Sequence, residues 1–107
     1  MSEPEFLAEC DRILDAIEDA LDDAPIDVDT QRSGHLIELE FDDGSKIIVN
    51  GNEPMREIWV AAKAGGFHFR KHDGRWLDSR SSEELFAGLS RWVSQQAGAT
   101  VLLNQKT

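Results

Sequence analysis

Residues 36–50, with the sequence LIELEFDDGSKIIVN, predict a β-hairpin at the centre of the chain. Apolar and polar residues alternate in Leu36–Phe41, turn residues follow at 42–45, and an apolar strand returns at 46–50. Such alternation gives the strand pair one apolar face, which needs a covering layer. The hairpin therefore indicates an antiparallel sheet with one buried face.

Further strands are predicted on both sides of this hairpin, because short apolar or alternating runs recur between turn residues. We expect strands at 26–29, 57–62, 67–70 and 75–77, a loop at 51–54, and turns at 65–66 and 73–74. These runs are too short for βαβ crossovers, so consecutive strands are expected to pair as hairpins.

A long helix is predicted before the strands. Ser2-Glu3-Pro4-Glu5 has the pattern of a capping box with an early proline, and Pro25 ends the helix. Between them an apolar stripe recurs at helical spacing. The stripe consists of Phe6, Cys10, Ile13, Leu14, Ile17 and Leu21.

A second helix is predicted after the strands. It opens with another capping-box pattern at 81–84 and ends at Gly98. Its buried side consists of Leu85, Phe86, Leu89, Trp92 and Val93. The apolar tail at 101–103 is expected to pack near the helices.

These elements predict an α+β fold, a two-layer sandwich in which two terminal helices pack on one face of an antiparallel β-sheet. We expect a single domain over residues 1–107, with Cys10 as a buried structural thiol. No apolar run approaches the roughly 20 residues that a membrane span needs, and the acidic N-terminus is unlike a signal or transit peptide. A single cysteine excludes an internal disulfide. A cytoplasmic protein is therefore expected.

The charge of the chain is concentrated at its N-terminal end. Eleven carboxylates and one arginine lie in residues 1–30, so this segment carries the whole net charge of −10. Such a segment does not bind phosphate backbones, which need Lys and Arg. The negative electric field of this segment attracts positive ligands, either a cation or a basic protein surface.

The carboxylates of the first helix form what we call the acidic ridge: Asp11, Asp15, Glu18 and Asp22 in one row, with Asp19 and Asp23 in the next. Like charges at helical spacings of three or four cost about 0.2–0.5 kcal/mol per pair. The last acids of the ridge also lie at the negative end of the helix dipole. This cost favours a functional role over a merely solubilising face, and oxygen ligands without Cys or His favour Mg²⁺, Ca²⁺, Mn²⁺ or iron.

Several blocks of sequence resemble bacterial frataxins of the CyaY type. The blocks are IEDALDD at 17–23, DGSKIIVN at 43–50, Glu53-Pro54, IWVA at 58–61, KAGGFHF at 63–69, Trp76, DSR at 78–80 and QQAG at 95–98. They cover nearly the whole chain in order, and frataxins have the two-helix sandwich described above. The resemblance implies an adaptor and regulator of iron–sulfur cluster assembly that binds Fe²⁺ and Fe³⁺ weakly; binding of other divalent cations is left open.

The resemblance also implies site residues. Its iron positions are Glu18, Asp19, Asp22, Asp23, Asp27 and Asp29, with Asp15 and Asp11 extending the ridge. Its partners are the cysteine desulfurase and the iron–sulfur scaffold protein, contacted through Glu18, Asp19, Asp22, Asp23, Asn52 and Trp59. Strand alternation supports the last of these, because Trp59 faces away from the helices if Ile58 and Val60 face them.

Two other functions stay open at this stage. One is a ferroxidase or iron-storage oligomer, although no enclosed His/Glu cluster is visible and no catalytic residue is predicted. The other is an acidic protein-interaction module without a specific metal role, including a nucleic-acid mimic. In the leading hypothesis the protein is not an enzyme. It is a monomer without metal, and oligomerisation on binding iron is left open. Its partners include no nucleic acid and no membrane.

Overall fold

The computed structural model describes residues 1–104 and has two helices and six strands. In chain order they are α1 (Glu3–Asp22), β1 (Val28–Ser33), β2 (Leu36–Phe41), β3 (Lys46–Asn52), β4 (Glu57–Ala62), β5 (Gly65–His72), β6 (Arg75–Asp78) and α2 (Leu85–Ala97). The strands form one antiparallel sheet in the order β1-β2-β3-β4-β5-β6. Both helices and the inward side chains of the sheet share one core, which confirms the predicted α+β sandwich.

Helix α1 begins as its sequence predicts. The Ser2 side chain accepts a hydrogen bond from the backbone of Glu5, and the Glu5 side chain accepts one from the backbone of Ser2. The whole predicted stripe is buried, and Phe6 and Ile17 are 0% exposed. The stripe continues through Ala16 and Ala20, which are small enough to let the helix approach the sheet closely.

The strands differ from prediction at their ends. β1 begins at Val28 and continues to Ser33, because it pairs with β2 along its full length. The loop predicted at 51–54 begins two residues later in the structure, because Gly51 and Asn52 belong to β3 and pair with β4. Gly65 and Gly66 lie within β5 and pair with Ala62 and Ala61, so the predicted turn at 65–66 is wrong.

The predicted capping box of α2 is also wrong. Helix α2 begins at Leu85, and its N-cap is Glu84, whose carboxylate accepts from the backbone of Phe86 and Ala87. Asp78 organises the preceding segment instead: its carboxylate accepts from the backbone of Arg80 and Ser81. The Asp78 backbone N–H also donates to the Glu83 carbonyl, and Glu84 forms a β-bridge with Leu77, so residues 79–84 are held in a turn against β6 and the helix begins later.

Side chains of α2 fasten the turns and the tail. Gln96 Nε2 donates to Ser45 Oγ (3.0 Å) and Gln96 Oε1 accepts from the backbone of Lys63 (2.9 Å), which joins two hairpin turns to one helix. Ser94 and Ser90 bond the backbone of Val101 and Leu103 respectively. Val101 and Leu103 are buried, which confirms the expected packing of the tail.

Helix α1 lies closest to the sheet where Cys10 covers Gly51 of β3. A Cβ added at Gly51 would lie 2.6 Å from the Cys10 sulfur, well inside contact distance. Cys10 is 1% exposed, and burial raises the pKa of its thiol to about 11. The thiol is therefore a packing group, as expected.

We expect Gly51→Ala to lower the free energy of unfolding by about 1–3 kcal/mol, because the new methyl group overlaps the Cys10 sulfur in a close-packed core. Cys10→Ala removes that sulfur, so the double variant should be more stable than the sum of the two single changes by about 1 kcal/mol or more. Urea unfolding of the four proteins measures this coupling. Additive effects would contradict the close approach.

Candidate functional site

The acidic ridge lies on the solvent side of α1, opposite the buried stripe. Asp11, Asp15, Asp19, Asp22 and Asp23 are exposed, and Glu18 is half-buried at the border with β1. The predicted ridge is therefore accessible to a ligand along its length. Its two halves, however, differ in the cations that surround them.

The first half of the ridge, Asp11, Asp15 and Glu18, is paired with Arg32 of β1. The Arg32 guanidinium donates to the Asp15 carboxylate and, at 2.7 Å, to Glu18; it also lies 3.5 Å from the Asp11 carboxylate. The hydrogen bonds that Arg32 donates to Asp15 and Glu18 raise the pKa of Arg32 above its usual range. Sequence reasoning missed this contact, because residues 30–33 lack the alternation that would have extended β1.

Further basic groups surround the N-terminal part of α1. Glu9 accepts hydrogen bonds from Arg12 and from Lys71 of β5, and these bonds outweigh burial, so the pKa of Glu9 is lowered. His35 Nε2 lies 3.4 Å from the Asp11 carboxylate. The carboxylates of this end of the helix are thus largely matched by the protein's own nitrogen groups.

The second half of the ridge, Asp19, Asp22 and Asp23, has a different environment. Within residues 1–104, neither Asp19 nor Asp22 forms an ion pair or a side-chain hydrogen bond. Asp23 is the C-cap, and the last turn of α1 contains no basic residue. Negative charge is therefore concentrated where the helix dipole is also negative. The negative field that the sequence predicts for this segment is therefore strongest at the C-terminal end of α1.

The strand carboxylates Asp27 and Asp29 lie together with two acids that the sequence prediction did not include. All four of Asp27, Asp29, Glu40 and Asp42 line a shallow polar cavity of about 240 Å³. Asp29 lies directly opposite Glu40 in the β1–β2 register, an arrangement of like charges that costs stability. The hairpin register could have revealed Glu40, had the full extent of β1 been predicted.

The donor chemistry of these surfaces fits hard cations, since every exposed group is a carboxylate. Over the part of the chain that the structure describes, no three Asp, Glu, His or Cys side chains come close enough to hold one metal ion. A cation at the ridge would therefore have one or two protein carboxylates and complete its coordination with water. Such coordination gives weak binding.

A second surface lies on the sheet face away from the helices. Ile58 and Val60 are buried toward the core, and Trp59 between them is half-buried on the opposite face. The Trp59 indole stacks on His68 of the neighbouring strand, with ring centroids 4.5 Å apart and 10° between the planes. Asn52 lies at the end of β3, where its side-chain oxygen accepts from the backbone of Met55 at 3.0 Å.

Glu57 fixes the orientation of this surface. Its carboxylate is buried beside the stack and accepts from Trp59 Nε1 (2.8 Å) and Arg70 Nε (2.5 Å). Burial opposes its ionisation, but the two hydrogen bonds and the Arg70 charge outweigh burial, so the pKa of Glu57 is lowered. The ionised carboxylate therefore stabilises the folded chain and holds the Trp59 indole in place beside His68.

We expect Glu57→Gln to lower the free energy of unfolding by about 1–3 kcal/mol at pH 7, since charge-assisted hydrogen bonds are lost. The depressed pKa in the folded chain means that the wild type has this stability above the unfolded pKa near 4.5 and loses it as pH falls further. The difference between the two proteins should thus shrink from pH 7 to pH 3 in urea unfolding. Trp59→Phe should give a smaller effect in the same direction, and a difference independent of pH would contradict the assignment.

No helix in the described part of the chain is long and apolar enough to cross a membrane.

Comparison with protein families gives a match to the frataxin-like domain over residues 1–99. The iron–sulfur cluster assembly protein CyaY of Ralstonia pickettii is 55% identical over 96% of this chain and 95% of the relative. The protein of the same name from Cupriavidus metallidurans is 56% identical over 96% of each chain.

Solved structures give the same result. Frataxin from Psychromonas ingrahamii superposes with a TM-score of 0.91 and 31% identity, covering 98% of this chain and 100% of that one. Trimeric yeast frataxin complexed with ferrous iron has a TM-score of 0.67 at 24% identity, over 92% of this chain and 88% of that one, and shows the fold alone. The chain belongs to the frataxin family, among its bacterial CyaY-type members.

Proposed function

We propose that this protein is a cytoplasmic, non-enzymatic component of iron–sulfur cluster assembly, which binds iron weakly at the acidic ridge and docks on the cysteine desulfurase. Its relatives at 55–56% identity are named as iron–sulfur cluster assembly proteins, which supports the general role. The observation that carries the finer assignment is that Asp19 and Asp22, near the end of α1, are exposed and form no ion pair within residues 1–104.

The proposed iron positions are Glu18, Asp19, Asp22, Asp23, Asp27 and Asp29, with Asp15 as an extension. Iron is the cargo here, held by one or two carboxylates with water in the remaining positions. Weak, exposed coordination suits a protein that must release the ion to an assembly machine. An enclosed site would retain it.

The proposed docking surface combines Glu18, Asp19, Asp22 and Asp23 with Asn52 and Trp59 on the sheet. Exposed carboxylates steer a basic patch of the desulfurase toward the ridge. Trp59 offers a large, rigid contact that is already oriented by Glu57 and His68. Aromatic side chains of this kind supply much of the binding energy at interfaces, so Trp59 is the proposed anchor beside the ridge, and the scaffold protein is a further proposed partner.

An anaerobic Fe²⁺ titration followed by ¹⁵N–¹H NMR tests the metal assignment, with Mg²⁺ as diamagnetic control. We expect paramagnetic loss of amide signals confined to residues 18–29. Asp19→Asn with Asp22→Asn should abolish most of that loss, because two of the exposed ligands are removed. The control Glu3→Gln with Asp73→Asn removes the same charge elsewhere and should leave it intact; Asn tolerates the positive φ of 50° at Asp73. No signal loss beyond the Mg²⁺ control would overturn iron binding.

Charge reversal tests docking. Asp19→Lys with Asp22→Lys should abolish binding to the desulfurase. The double change should also raise the melting temperature by about 4–8 °C, which corresponds to about 1 kcal/mol in the free energy of unfolding. The gain is expected because repulsion between carboxylates is relieved and because lysines interact favourably with the negative end of the helix dipole. Calorimetry and a binding assay on the same samples check both. Glu3→Lys with Glu53→Lys makes the same change of charge at the other end of α1 and should leave docking intact. A ridge variant that is less stable and still docks would exclude this surface.

A further inference from the structure

We propose that Arg32 is an internal counter-cation that closes the first half of the acidic ridge to external cations. Metal ions and basic partner side chains then engage only its second half, Asp19, Asp22 and Asp23. The inference rests on the function proposed above and narrows its set of helix carboxylates: Asp15 and Glu18, which were included there, are bound to Arg32, so that Asp19, Asp22 and Asp23 serve the function.

The contacts of Arg32 support this division. One guanidinium reaches three consecutive acids of the ridge: Asp15 and Glu18 by direct hydrogen bonds and Asp11 at 3.5 Å. It also approaches the backbone oxygen of Asp11 at 3.4 Å. The guanidinium therefore occupies the position between two helical turns where a cation would bind, and uses the same oxygen atoms.

Displacing Arg32 would be unfavourable for an incoming ion. The Arg32 side chain is only 23% exposed, so its guanidinium is held against the helix by geometry as well as by charge. A metal ion at Asp15 and Glu18 would have to break both charge-assisted hydrogen bonds and would also be repelled by the displaced guanidinium. At Asp19 and Asp22, by contrast, no side chain of residues 1–104 competes for the carboxylates.

Arg32 also joins the edge strand β1 to α1, so a purely structural role must be distinguished from cation exclusion. Arg32→Gln loses both the tether and the charge, whereas Arg32→Lys retains a positive charge at the same place. A structural role predicts changes in stability and no change in where cations bind. Exclusion predicts a change in the location of binding that depends on charge.

Co²⁺ titration of the wild type, Arg32→Gln and Arg32→Lys, followed by ¹⁵N–¹H NMR, tests the proposal. Co²⁺ is a paramagnetic divalent probe whose fast electronic relaxation confines line broadening to nearby amides. We expect broadening around Asp19, Asp22 and Asp23 in all three proteins. In Arg32→Gln alone, the amides of Asp11 and Asp15 should also broaden. Signal dispersion verifies folding, and Arg32→Met, which retains a long stem, replaces the Gln variant should that variant not fold.

Each outcome bears on the proposal. Two results would overturn exclusion by Arg32 while leaving metal binding intact. In one, broadening in Arg32→Gln stays at the second half of the ridge. In the other, broadening in the wild type already covers the first half. Broadening in Arg32→Gln only, at Asp11 and Asp15, would support exclusion and overturn iron binding by the native ridge. No broadening in any of the proteins would overturn both.

Discussion

Burial of the α1 stripe against the sheet is the constraint on which the other features depend. Phe6, Cys10 and Ile17 are almost completely buried, and Cys10 meets the sheet at a glycine where no side chain would fit. This contact fixes the rotation of α1 about its axis. Once that rotation is fixed, the acidic ridge has to face solvent, and it lies beside β1 at the distance that Arg32 can reach.

The distribution of charge follows from this packing. In the N-terminal part of α1, Glu9 pairs with Lys71 of β5 and Asp15 pairs with Arg32 of the edge strand β1. At the C-terminal end the strands contribute more carboxylates, Asp29 and Glu40, in place of bases. The fold thus places basic side chains beside the N-terminal part of the ridge, whereas Asp19 and Asp22 have none beside them within residues 1–104, so repulsion between carboxylates is strongest toward the C-terminal end of α1.

Features that depend on local sequence patterns were predicted better than features that depend on tertiary contacts. The Ser2 capping box and the turn before Ser45 were predicted correctly, because their partners lie within three residues along the chain. The fold class and the frataxin family were also predicted correctly, since alternating strands and short blocks of sequence that resemble frataxins are local features too. The cap of α2 was missed because residues 83 and 84 bond back to β6: the Asp78 N–H donates to the Glu83 carbonyl, and Glu84 bridges Leu77. The pairing of Arg32 was missed for a similar reason. Residues 30–33 form a strand only because they pair with β2, and they lack the alternation of apolar and polar residues that predicts a strand.

The like-charged pair of Asp29 and Glu40 also affects how copies of this protein meet one another. In the described part of the chain β1 is a terminal strand paired on one side with β2, so its other side presents backbone groups that another strand can join. A second copy that added its own β1 there would bring two sets of carboxylates together, including Asp27 and Asp29. Their repulsion opposes such edge-to-edge growth. The acids that cost the fold stability thereby protect it from aggregation at high concentration.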